Sequence, residues 1–75
     1  MRNVSTETTR THVATYIQML NRGNTAAASR YRNDDLFEAC GDFGRGQGAK
    51  PKLKGPSGRW MNEANAIAAW RELIG

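Results

Sequence analysis

Six of the eight glycines and both prolines of this 75-residue chain fall between Gly41 and Gly58. Glycine loses the most backbone freedom on entering a helix, and proline lacks the N–H that a helix interior requires, so no long helix crosses this stretch. The chain is therefore divided into two segments that can be helical, joined by a sharply turning connector. The same connector carries the charge. Residues 1–44 hold five basic and five acidic side chains, residues 45–60 five basic and no acidic, and residues 61–75 one basic and two acidic, within a formal net charge of +4.

A chain of this length forms one domain, residues 1–75, and buries little more than half of the surface its unfolded form exposes. A hydrophobic content of 39% and a charged content of 24% are those of a folding sequence rather than a disordered one. Cys40 is the single cysteine and cannot staple the small core to a second thiol, which points to a reducing, cytoplasmic setting. The N-terminal residues show no apolar signal segment, and no apolar run is long enough to span a bilayer, so the expectation is a soluble protein without a membrane partner.

Residues 1–5 are polar and expected to fray. From Thr9 onward, Val13, Tyr16, Ile17 and Leu20 fall on one helical stripe that Gly23 ends. The threonines in this segment are poor helix formers, so packing must hold it. Asn24 or Thr25 caps a second helix through Ala26–Tyr31, which Asn33, Asp34 and Asp35 interrupt. Asp35 and Glu38 read as a capping box for a third helix carrying Leu36, Phe37 and Cys40, ended by Gly41 and followed by Phe43 as a buried anchor. The last helix has Asn62 as its cap and Ala66, Ile67, Trp70, Leu73 and Ile74 as its apolar face. Gly23-Asn24 followed by Ala27-Ala28 is similar to the glycine-asparagine and paired-alanine pattern of the Fis-type helix-turn-helix, a resemblance over about a quarter of the chain. It implies that the first two helices pack tightly.

Within the connector, residues 44–60 form either a basic β-hairpin or an irregular loop. In the hairpin, Gly55-Pro56-Ser57-Gly58 makes the turn, Lys54 faces Arg59 and Leu53 faces Trp60. Alternation then sends Leu53 and Trp60 to the core and Lys52, Lys54 and Arg59 to solvent. The expected fold is mainly α: three or four short helices on one small core, with this hairpin or loop before the C-terminal helix.

The chemistry-bearing motifs are few. Gly44–Lys50 resembles a phosphate-binding loop, but that loop needs a glycine before the lysine and a Ser or Thr after it; here Ala49 and Pro51 stand in those places. A dinucleotide fingerprint would need a buried strand before the glycines. His12 has no second histidine and reads as structural, and Cys40 as a buried thiol. Asp34, Asp35, Glu38 and Asp42 read as capping and solvated groups rather than a cation site. No metal, cofactor or catalytic constellation is expected, and the chain reads as non-enzymatic.

The informative set is Arg45, Lys50, Lys52, Lys54 and Arg59, joined by Arg30 and Arg32 from the second helix. Such a ribbon neutralises phosphates or meets an acidic protein surface. The aromatic residues are expected to be spent on the core, leaving none to stack on bases. The leading expectation is a nucleic-acid-binding regulator. The alternative is a protein-binding inhibitor or adaptor of phage or mobile-element type, such as an anti-CRISPR-like inhibitor of a nucleic-acid-processing complex, which the chain resembles in size and character. Both are compatible with a homodimer.

Overall fold

A computed structural model of the chain describes residues 5–74. Helix α1 (Thr6–Asn21) begins a turn earlier than its apolar stripe suggests, because Ser5 caps it: the Thr8 N–H donates to Ser5 Oγ at 3.1 Å. Ser5 is thus an anchored cap rather than a frayed residue; the other residues expected to fray, 1–4, lie outside the described residues. The helix holds its threonines by turning their hydroxyls back onto the preceding turn, Thr9 to the Ser5 carbonyl, Thr11 to that of Glu7 and Thr15 to that of Thr11, each at 3.1 Å. That bond lets Thr9 be buried completely beside Val13 and Ile17. At the far end Gly23 takes φ +75°, and its N–H and that of Asn24 reach back to the Leu20 and Met19 carbonyls.

Asn24 then caps α2 (Thr25–Tyr31), its side chain accepting from the Ala27 N–H. The expected break at Asn33–Asp35 does not occur. The backbone continues through a π-helical turn (Arg32–Leu36), in which the Phe37 N–H bonds the Arg32 carbonyl, into α3 (Phe37–Cys40). Asp35 and Glu38 therefore form no capping box, and α3 starts without a side-chain cap. The gain is geometric. In an α-helix each four-residue step overshoots one face by about 40°, so Ala28, Arg32, Leu36 and Cys40 would drift around the cylinder. The wider turn offsets that drift, and Ala28, Leu36 and Cys40 all reach the interior.

Three short antiparallel strands follow in the spatial order β1 (Gly41–Asp42), β2 (Lys52–Lys54), β3 (Trp60–Asn62). Strand β1 can start directly from α3 only because residue 41 is glycine: a Cβ there would lie 2.6 Å from the Phe37 ring and 2.9 Å from its Cα. The connector is thus a hairpin with a third strand on its edge. Its register differs by one residue from the expected one: Lys54 pairs with Trp60 and Leu53 with Met61. The turn accounts for the shift. Gly58 donates to the Gly55 carbonyl as anticipated for Gly55–Gly58, but Gly58 sits at φ +85° as an extra residue, so that Gly55 bonds Arg59 instead.

Helix α4 (Glu63–Ile74) closes the fold, capped by Asn62, whose side chain accepts from the Ala64 N–H at 2.9 Å. It packs on α1, β2 and β3. Val13, Ile17, Leu36, Phe37, Cys40, Leu53, Ala66 and Trp70 form the core, with Tyr16, Tyr31, Met61, Ile67 and Ile74 against it. The indole N–H of Trp70 donates to the Lys54 carbonyl at 2.8 Å and so fastens α4 to β2. Leu73, expected on the apolar face, is exposed because the stripe centres on positions 66, 70 and 74. No described helix is long and apolar enough to cross a membrane.

Candidate functional site

The one-residue register shift redistributes the side chains of the hairpin. Leu53 still points inward and is fully buried, but its partner beneath the sheet is Met61. Trp60, expected in the core, lies with Lys52 and Lys54 on the opposite face, because neighbours across a ladder share a face. Lys54 does not project freely. Its ammonium lies 5.5 Å from the centre of the Trp60 ring, and only 9% of the residue remains exposed. Trp70, on the apolar face of α4 as expected, is the tryptophan buried in the core.

Arg32 also departs from the expected cationic set. Its Nε and a terminal nitrogen donate to the two Glu63 carboxylate oxygens at 2.6 and 2.8 Å, and its other terminal nitrogen donates to Asn33 Oδ1 at 2.7 Å. The same guanidinium lies over Phe37, 4.6 Å from the ring centre, and 5.4 Å from that of Phe43. The bidentate bond to Glu63 raises its pKa above the ordinary guanidinium value. This arginine joins the π turn to the start of α4 and is not free for a phosphate. The remaining cations behave differently. Arg45, Lys50, Lys52 and Arg59 are exposed, as is Arg30 on α2, and among the described residues none of them, nor Lys54, has a carboxylate oxygen within ion-pair distance. Asp42, which faces Lys52 in register, instead accepts the Gly44 N–H at 2.7 Å.

Beside this face lies an open groove of about 570 Å³, between the end of the π-containing helix and the sheet edge. Phe37, Phe43 and Trp60 are its aromatic lining, and the carboxylates of Glu38 and Asp42 and the guanidinium-bearing Arg45 line it with them. Phe43 is not the buried anchor expected: it is 46% exposed and stacked on Phe37, with ring centres 4.5 Å apart and planes 19° apart. Arg30 and Lys50 do not line the groove. Family models, curated proteins and solved structures contain no match to this chain.

His12 and Cys40 are both engaged in holding elements together. His12 Nδ1 lies 2.8 Å from the Tyr31 hydroxyl and links α1 to α2, and the buried Cys40 thiol donates to the Leu36 carbonyl at 3.2 Å. Burial raises the phenol pKa of Tyr31, and that of Tyr16, where nearby Glu63 adds to the effect. Among the described residues no three His, Cys, Asp or Glu side chains converge as a metal site. The residues that sequence reasoning missed are Phe43 as an exposed aromatic and Trp60 as a half-buried one on the face of the lysines. The available signal was a bulky aromatic at position 43 between glycines, where no regular element can wrap it.

Proposed function

We propose that this protein is a non-catalytic, cytoplasmic nucleic-acid-binding protein that grips the phosphate backbone with the loop before β2, strand β2 and the hairpin turn. Arg45, Lys50, Lys52 and Arg59 make the direct contacts, Lys54 adds charge from behind Trp60, and Arg30 extends the field from α2. One contrast supports this reading. Arg32 is neutralised by the chain's own Glu63, whereas the exposed cations of the connector have no such partner among the described residues. Unpaired surface cations close in sequence are the footprint of phosphate binding, since each phosphate they neutralise releases a condensed counterion.

Fluorescence anisotropy of labelled single-stranded and duplex DNA and RNA at low salt tests it. Binding is expected for the native chain and loss of binding for R45E/K52E/R59E, with an unchanged circular dichroism spectrum. Absence of binding by the native chain to every one of these probes would refute it. A second reading, inhibition or adaptation of another protein, draws on the exposed Phe43 beside Arg45, because aromatics and arginine anchor protein interfaces. Stoichiometric capture of one host protein that survives nuclease treatment would favour it instead.

A further inference from the structure

The groove beside the cationic face is built differently from that face. Its lining holds three aromatic residues, Phe37, Phe43 and Trp60, with two carboxylates, Glu38 and Asp42, against one cation, Arg45. A phosphate is repelled by two of these side chains and attracted by one, so the lining as a whole disfavours a phosphate inside the groove. A nucleobase meets the opposite conditions. Its π face matches Phe43 and Trp60, and its edge N–H groups are donors for carboxylates, but in a duplex that edge is occupied by the complementary strand. Phe43 is also held in place: it stacks on Phe37, and the Glu63-bound Arg32 lies over both rings, so little side-chain freedom is left to lose on binding.

Resting on the nucleic-acid reading above, we infer that the groove between Phe43 and Trp60 receives an unpaired base, and that the ligand is single-stranded nucleic acid rather than duplex. The strand runs from the base in the groove past Arg45 and onto Lys52 and Arg59. Aromatic stacking sets the preference for an unpaired strand, and the cations set the salt-dependent affinity.

The test uses the full chain with a labelled single-stranded DNA oligonucleotide and the same sequence closed into a duplex, at low salt. Phe43→Leu keeps an apolar side chain on Phe37 but removes the aromatic face, and Phe43→Tyr keeps the face; thermal melts establish that both are folded. Phe43→Leu is expected to weaken single-strand binding by about 5-fold to 150-fold, the range for removing one base-stacking aromatic. Duplex binding and the salt slope should stay unchanged, and Phe43→Tyr should restore the affinity. Equal single-strand affinity in the folded Phe43→Leu variant, with binding still abolished by R45E/K52E/R59E, would overturn the groove and leave the cationic face standing. No binding of any oligonucleotide would remove both. Tight capture of a lysine-rich peptide, lost in Phe43→Leu while single-strand binding is not, would overturn the inference in favour of a cationic peptide held by Glu38 and Asp42.

Discussion

Replacing Lys52 and Arg59 together by glutamine should halve the salt dependence of nucleic-acid binding, and the structure sets the expected size. Arg45, Lys50, Lys52 and Arg59 are exposed and unpaired among the described residues, Lys54 is largely covered, and Arg32 is paired with Glu63. If these four connector cations each neutralise one phosphate of a single strand, the slope of log affinity against log salt is about −2.8, at about 0.7 per phosphate. Raising salt from about 50 to about 200 mM then weakens binding roughly 50-fold. The double variant keeps two contacts, so its slope is about −1.4 and the same salt change costs only roughly 7-fold. Anisotropy titrations at four or more salt concentrations measure both slopes. Arg32→Gln is the internal control: it should leave the slope where it is while lowering the melting temperature, because Glu63 loses its partner. An unchanged slope in K52Q/R59Q would refute the assignment of contacts, and so would a shallower slope in R32Q.

Trp70→Phe removes the N–H that reaches the Lys54 carbonyl and leaves that buried acceptor without its donor, at a cost of about 1–3 kcal/mol. A domain of this size loses roughly 4–8 °C of melting temperature per kcal/mol, so an unchanged melt would show that this bond does not hold α4 to the sheet. At alkaline pH, Tyr16 and Tyr31 should ionise above the ordinary tyrosine value of about 10, because their pKa values are raised chiefly by burial. There the unfolded chain releases its phenolic protons first, so stability holds below that value and falls as pH rises toward the raised folded values. Ultraviolet difference absorbance and denaturant midpoints follow the two effects, and ionisation of both tyrosines at the ordinary value would contradict the burial argument. Sedimentation should show a monomer. The only large apolar residues exposed among those described are Phe43 and Leu73, whereas a stable interface buries roughly 1,200–2,000 Å² in total. A dimer that persists on dilution would show that these two residues understate the contact surface.

The fold was legible wherever a local residue choice decides a local structure. Gly23 ends α1, Asn62 caps α4, and the Gly55–Gly58 turn closes the hairpin, all through backbone conformations or caps that need no distant partner. Where the decision is tertiary, sequence reasoning missed it. Asn33, Asp34 and Asp35 have the composition of a break, yet the chain stays helical through them, because the π turn returns Leu36 and Cys40 to the core and brings Arg32 to Glu63. The polar triplet stays exposed and costs little. Strand β1 is two residues long and has no periodicity to read, and it depends on a glycine whose missing Cβ matters only once Phe37 is in place.

The candidate site divides along the same line. Which residues are basic is written in the chain, but which of them remain available depends on carboxylates and rings that arrive from elsewhere. Arg32 and Glu63 are 31 positions apart, so the pairing that withdraws Arg32 is invisible until the π turn meets α4. The position of Trp60 rests on a single residue of hairpin register. With Gly58 counted as an ordinary turn residue, Trp60 goes to the core; with Gly58 as the extra left-handed residue, Trp60 crosses to the face of the lysines and Met61 replaces it beneath the sheet. That inversion moves an aromatic from the interior into the lining of the Phe43 groove and sets its ring against the Lys54 ammonium, so one residue of hairpin register decides whether this face carries an aromatic at all.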